Sequence, residues 1–261
     1  GEAGVFPAFR VRFVNLGSTR PGVVQLEVNG CTSSLADECL DFPARGVGGE
    51  GRATLRLLIA LRGGLAAPPV AAVTVQGNLN AGSAELGAYN GDATSGGITI
   101  QAGGTISGSP RLGSAPGTPA AGSTVEGDDG LSTLPDGERL FINTFSLASN
   151  AYRDQPGAVV LDCGGGCDAG DVRSAAARHP GHEIWAPGDL ALDTGGDVGS
   201  PEQPVLIVAT GAVTVDVPLY GLLYGRGGSW SGAASGQVRG ALVSEGDFTG
   251  GAGGAGFDVI Y

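Results

Sequence analysis

The feature that most constrains this chain is a short motif that returns along its length: an apolar residue, three residues, a glycine, one residue, then a second apolar residue. It reads Val73…Gly77-Asn78-Leu79, Ile184…Gly188-Asp189-Leu190, Ile207…Gly211-Ala212-Val213 and Leu242…Gly246-Asp247-Phe248. A degraded copy stands at Leu223…Gly227, and a looser one around Ile98, Ile100, Gly103, Gly104 and Ile106. From Ile184 onward, with the degraded copy included, the spacings are 23, 16 and 19 residues. Such spacing fits one coil of a parallel β-helix, in which each short strand lies on the strand of the next coil. The glycine marks a corner, where we expect φ > 0. About six coils, stacked roughly 4.8 Å apart, would form a column about 25 Å tall.

Composition supports this reading. Glycine supplies 50 of the 261 residues, yet there is no G-X-Y period, so a collagen helix is excluded. The glycines are interleaved with short Val, Ile and Leu runs, which disordered chains lack. The expected fold class is therefore mainly β, with a solenoid over residues 69–261. Ahead of it, residues 1–68 read as a small antiparallel sheet. Phe9 to Val14 alternates apolar and charged residues, Val23 to Val28 is a second strand stopped by Asn29-Gly30, and Arg52 to Leu61 is a third. A short helix competes for that third segment, and Pro68-Pro69 marks the boundary. The repeat lapses over about 108–182. There Asp136 to Leu147 places Leu140, Phe141, Thr144 and Phe145 on one helical face, suited to packing on an open end or side of the solenoid. Asp168 caps a second short helix ending at Arg178, read as a packed lid.

The net charge is −12 and every basic residue is arginine. Residues 76–261 hold seven Arg against twenty acids, so this part should repel nucleic acid and anionic membranes. The four cysteines form two local pairs, Cys31/Cys39 and Cys163/Cys167. Neither has a histidine at ligand spacing, so two small disulfides in an oxidising compartment are favoured over zinc ligands. The 261 residues contain no apolar run of transmembrane length. Because Gly1 is not a natural start, a segment is expected upstream.

Nothing catalytic is expected. Asp189, Asp193 and Asp197 are the one acidic run on solenoid segments, but without a nearby Arg or Lys they read as solvated turn carboxylates. Gly253 to Ile260 matches one calcium nonapeptide, a motif that needs two adjacent repeats to hold an ion. His179 and His182 lack further ligands at metal spacing and read as exposed loop residues. The aromatics Trp185, Tyr220, Tyr224, Trp230, Phe248, Phe257 and Tyr261 are assigned to filling or capping coils, with stacking on sugars or bases as the rival reading. No cofactor or metal is expected.

Several segments together resemble the large minor pilins of the PilX type from type IV pili. They are Arg10 to Asn15 followed by PGVVQLEVNGC, the strand ending at Pro68-Pro69 with AVTVQGNL, LFINTFSLASNAYRDQPGAVVLDCGGGC, HPGHEIWAPGDLAL, and GSPEQPVLIVATGAV. The resemblance covers nearly the whole chain. It implies an N-terminal apolar helix, not present here, that anchors the subunit in the inner membrane and then in the fibre. It implies a pilin-like sheet with an enlarged accessory domain, a role in priming pilus assembly, and other pilins and a PilY-type tip adhesin as partners. The expected location is periplasm and inner membrane, then the extracellular fibre. A related solenoid pilin, the ComZ type, points to DNA uptake as an alternative. For that role only the sheet arginines, Arg10, Arg12, Arg20, Arg45, Arg52, Arg56 and Arg62, supply a basic face. A carbohydrate-binding or carbohydrate-active β-helix is a third reading.

Overall fold

The computed structural model describes residues 6–15, 23–33, 51–60, 65, 67–83, 85–119, 122–227, 230–231, 236–250 and 256–261. The chain divides into two compact units, Gly1–Arg62 and Gly63–Tyr261. The first is an antiparallel sheet of β1 (Phe6–Asn15), β2 (Val23–Ser33) and β3 (Arg52–Ala60), with β2 central. The third segment is thus a strand. Asn29-Gly30 does not stop β2, because Asn29 and Gly30 pair with Arg10 and Phe9 on one side and Thr54 and Ala53 on the other.

The second unit is a solenoid. In chain order it contributes β4 (Val73–Val75), β5 (Leu79–Asn80), β6 (Leu86–Asn90), β7 (Ile100–Ala102), β8 (Ile106–Ser107), β9 (Arg111–Ser114) and β10 (Thr124–Val125). Three helices follow, α1 (Asp129–Ser132), α2 (Gly137–Phe145) and α3 (Ser149–Arg153). The strands resume with β11 (Ala158–Val160) and β12 (Cys167–Asp168), then helix α4 (Ala169–Arg178), β13 (Glu183–Ala186) and β14 (Leu190–Leu192). The remainder are β15 (Val205–Ala209), β16 (Val213–Val215), β17 (Pro218–Gly225), β18 (Trp230–Ser231), β19 (Gln237–Ser244), β20 (Phe248–Thr249) and β21 (Phe257–Ile260). Solenoid strands therefore reach Val125 and restart at Ala158, so the non-solenoid stretch is 126–157, narrower than the 108–182 expected.

The recurring motif stacks on itself. Ile184 lies beside Ile207, Ile207 beside Leu223, Leu223 beside Leu242, and Val73 beside Ile100, all pairings parallel. These side chains form a buried inner ladder, each worth about 1.5–3 kcal/mol of apolar burial. The second apolar position makes its own ladders, Cys167–Leu190–Val213 and Trp230–Phe248–Leu79–Ile106.

The coils are not stacked in sequence order. The long sheet runs β10-β7-β4-β19-β17-β15-β13-β11, so the last full coil sits on the first: Leu242 on Val73, Phe248 on Leu79 and Phe257 on Leu86. The chain starts mid-column, climbs to one end, crosses to the other and winds back. With eight strands in that row, the column is about 34 Å tall at 4.8 Å per step, rather than the 25 Å expected from six.

Residues 126–157 make that crossing along the outer face of the long sheet. Leu140, Phe141 and Phe145 of α2 and Tyr152 of α3 pack with Trp185, Val208, Leu222, Tyr224, Ala241 and Val243 from the sheet. Phe141 meets Tyr152 and Tyr224 edge-on at 5.3 and 5.2 Å between ring centroids, a favoured aromatic geometry. The apolar face read from Asp136 to Leu147 thus covers a side of the solenoid. Asp136 caps α2 by accepting from the Arg139 N–H, and Ser146 ends it at φ 59°. Helix α4 begins with the Asp168/Asp171 capping box and buries Ala169, Val172 and Ala175 in the inner core. With the long sheet covered on both sides, its later strands read as continuous apolar runs.

A polar latch fixes the crossing. Arg226 donates to Glu245 Oε1 at 3.1 Å and to Glu138 Oε2 at 2.8 Å, and its guanidinium lies 5.1 Å from the Phe141 ring centre. The Tyr224 hydroxyl donates to Glu245, and the Ser149 N–H and hydroxyl donate to Glu138. Burial holds the Glu245 carboxyl above the ordinary value of 4.5, against the pull of Arg226. Burial also acts on Glu138, but the Ser149 hydrogen bonds and Arg226 outweigh it and bring that carboxyl below 4.5.

The motif glycines differ from expectation. Gly188 and Gly227 have positive φ, 92° and 62°, whereas Gly77, Gly211 and Gly246 do not. Gly77 and Gly211 are needed for close approach: a Cβ would collide with Asp247 or with the Gly188-Asp189 backbone. Positive φ is decisive at Gly221 (135°) and Gly240 (142°), corners within β17 and β19 where a Cβ would strike the Val205 and Gly221 carbonyls.

Two measurements test this architecture. Asn80 and Thr249 are exposed neighbours across the junction of first and last coils. Cysteines at both positions should form a disulfide on mild oxidation, seen as a cross-linked peptide pair by mass spectrometry. Stacking in sequence order would leave them at opposite ends and unlinked. Second, Arg226→Met should lower the unfolding free energy at pH 7 by about 2 kcal/mol or more, by leaving the Glu138 and Glu245 carboxylates without their shared cation. Since Glu245 takes up its proton above 4.5 and Glu138 below it, that penalty should shrink progressively as pH falls. Denaturant titrations across this range measure it.

Candidate functional site

Alternation along three strands sorts the first unit's side chains onto two faces. Phe9, Val11 and Phe13 of β1 lie opposite Gly30, Val28 and Leu26 of β2, which lie opposite Ala53, Leu55 and Leu57 of β3. Val24 and Ile59 extend the same face. It is apolar along its length, with the exposed Thr32 at one end, and open: Phe9 is 74% exposed and Phe13 70%, with Val11, Leu55, Leu57 and Ile59 also exposed. An apolar sheet face of this extent is the signature of a surface that another element covers.

The opposite face is mixed, with the exposed Leu58 beside a polar cluster. Glu27 accepts from Arg12 Nε at 2.6 Å and pairs with Arg56 Nε at 3.1 Å. Chiefly through the Arg12 hydrogen bond, its carboxyl is held below the ordinary range. The Thr54 hydroxyl donates to Asn29 at 2.9 Å beside this pair. Of the arginines considered for a basic face, Arg12 and Arg56 are thus bound to a carboxylate, Arg10 and Arg52 stand on the strands, and Arg20, Arg45 and Arg62 lie outside the described residues.

On the solenoid, the acidic candidates do not converge. Asp189 Oδ1 accepts from the Ala212 N–H at 2.8 Å, one coil on. Asp247 accepts from the Asn78 N–H at 2.7 Å, and Asn78 Oδ1 accepts from the Thr105 N–H at 3.1 Å. This Asx ladder ties corner to corner, so Asp189 is part of the scaffold. Asp193 and Asp197 are exposed in a turn whose Thr194 and Gly196 carbonyls accept from Arg173 at 3.2 and 2.8 Å. An arginine does stand near this run, contrary to expectation, but it serves the backbone.

His179 and His182 have ring centroids 5.5 Å apart and border a cleft of about 510 Å³ with Arg173, Ser200, Glu202 and Gln203. His179 is exposed, whereas His182 is half-buried, a departure from the exposed loop expected. Among the described residues, no three His, Cys, Asp or Glu side chains converge as a metal site. Of the calcium-like segment, 253–255 lie outside the described residues, and Asp258 is paired with Arg111 at 2.8 Å.

Cys163 and Cys167 form a disulfide with Cα atoms 5.1 Å apart, at the β12 end of the solenoid. Cys31 is disulfide-bonded, and Cys39 lies outside the described residues. Trp185, Tyr224, Trp230, Phe248 and Phe257 are buried, while Tyr220 and Tyr261 are half-buried. Tyr89, absent from the aromatic set singled out in sequence, also reaches the surface of the solenoid; no local motif marks it. Among the described residues, no helix is long and apolar enough to cross a membrane. No family model, curated protein or solved structure matches the chain.

Proposed function

We propose that the chain is the extracytoplasmic region of a non-enzymatic minor pilin of the PilX type, acting in a type IV pilus. The observation that carries this reading is the open apolar face of the β1–β3 sheet. A three-stranded sheet exposing two phenylalanines and several aliphatic residues gains stability when covered. An apolar helix of the kind the resemblance implies matches that need, presenting side chains at i, i+3 and i+4 to the strand rows. In this reading the sheet binds such a helix and neighbouring pilins, so the subunit helps to prime assembly. The solenoid, held by stacked coils and a packed helical layer, serves as a rigid surface near the tip for a PilY-type adhesin or a surface ligand. The subunit waits at the inner membrane and then enters the extracellular fibre. DNA capture is less well supported, because Arg12 and Arg56 are committed to Glu27 and the chain carries a charge of −12.

The test is made in the source bacterium with the full-length chain. Phe9→Asp with Leu57→Asp should reduce the subunit in sheared surface pili about tenfold or more at unchanged cellular level, by putting charge on the apolar face that the helix would cover. Leu58→Asp, on the opposite face of β3, should leave it unchanged. If the subunit never appears in fibres, and deleting it leaves piliation and adhesin recruitment intact, the proposal fails.

A further inference from the structure

One face of the solenoid is built from the first halves of β17 and β19 together with β21, β6 and β9. Its inward residues Leu219, Val238, Val259 and Ala88 are buried, so the alternating partners point outward. They form two straight rows. One row runs Tyr220, Arg239, Ile260, Tyr89 and Gly113 across five strands. The other sets Gln237, Asp258, Gly87 and Arg111 side by side.

Bare backbone at Gly87 and Gly113 shapes this face. A Cβ on Gly113 would lie 2.6 Å from Cδ1 of Tyr89, and one on Gly87 would lie 2.8 Å from its Cε2. The Tyr89 ring therefore rests flat over the strands. Asp258 reaches across Gly87 to pair with Arg111 at 2.8 Å. Two strands away from Tyr89, the exposed Arg239 lies 5.4 Å from the Tyr220 ring centre and donates to Gln237 at 2.7 Å. Among the described residues it meets no carboxylate.

We propose that this face binds a linear acidic polysaccharide lying along the column axis. A pyranose presents an apolar C–H face that suits a flat aromatic ring. The Asp258–Arg111 pair offers an acceptor beside donors, the combination that vicinal hydroxyls require. Arg239 offers a planar fork for a uronate carboxylate about two strand spacings, roughly 10 Å, from Tyr89. Arg111 is engaged by Asp258, so the preference for an acidic chain rests on the exposed Arg239. The proposal uses the solenoid alone and stands apart from the pilin reading.

Calorimetric titration with oligogalacturonate, alginate, hyaluronan, cellohexaose and a short DNA duplex tests it. At least one acidic glycan should bind. Arg239→Gln and Tyr89→Ala should each weaken that binding about tenfold or more, while Tyr89→Phe retains it. Unfolding midpoints are measured alongside. If Tyr89→Ala disturbs folding, the exposed Arg239→Gln decides. Failure of all three acidic glycans to bind, affinity indifferent to Arg239→Gln, or equal affinity for cellohexaose or DNA overturns the proposal.

Discussion

The pairing of the last coil with the first is the interaction on which the rest of the solenoid depends. At that junction Leu242 meets Val73, Phe248 meets Leu79 and Phe257 meets Leu86, one contact on each face of the column. Each of the two strand-bearing segments, 73–125 and 158–260, would otherwise end in an open layer of apolar side chains. Joined, they share one inner core. The arrangement obliges the chain to travel back along the full column between its two segments, and that return explains the helical layer. A connection running over an apolar sheet must bury a face of its own, which α2 and α3 do through Phe141, Phe145 and Tyr152.

Corners carry the second constraint. Neighbouring coils approach so closely that side chains are excluded at Gly77 and Gly211, while Gly221 and Gly240 combine contact with a backbone conformation that L residues avoid. The corner N–H groups still need partners, and Asp189, Asp247 and Asn78 accept from the equivalent position one coil on. Carboxylates that look like candidate chemistry in a linear reading are thus consumed in holding the stack. The same economy appears in the first unit, where Glu27 engages Arg12 and Arg56 on one face while the other is predominantly apolar.

These two units offer different kinds of surface. The sheet presents a greasy plane suited to a helix, and the solenoid presents flat polar and aromatic rows on a rigid body. Rigidity matters for the second role, since a ligand that meets a preformed array loses less binding energy to ordering its partner. Arg226, gripping Glu138 and Glu245 under Phe141, contributes to it by locking the helical layer to the sheet.

Much of the fold was legible in sequence, because it rests on local periodicity. Alternation over Phe9 to Val14, the six glycine-anchored copies and the caps at Asp136 and Asp168 each reflect short-range geometry that recurs with the chain's own period. The apolar sheet face follows from the same alternation. Coil order, the length of the interruption and the helical face's choice of side over end were decided only by tertiary structure. Spacing reports how long a coil is, but not which coil it lies on, and stacking Phe248 on Leu79 is a contact across 169 residues. The outward rows through Tyr89, Asp258 and Arg111 are hidden for the same reason: their members come from separate coils, and only the register of parallel pairing brings them side by side.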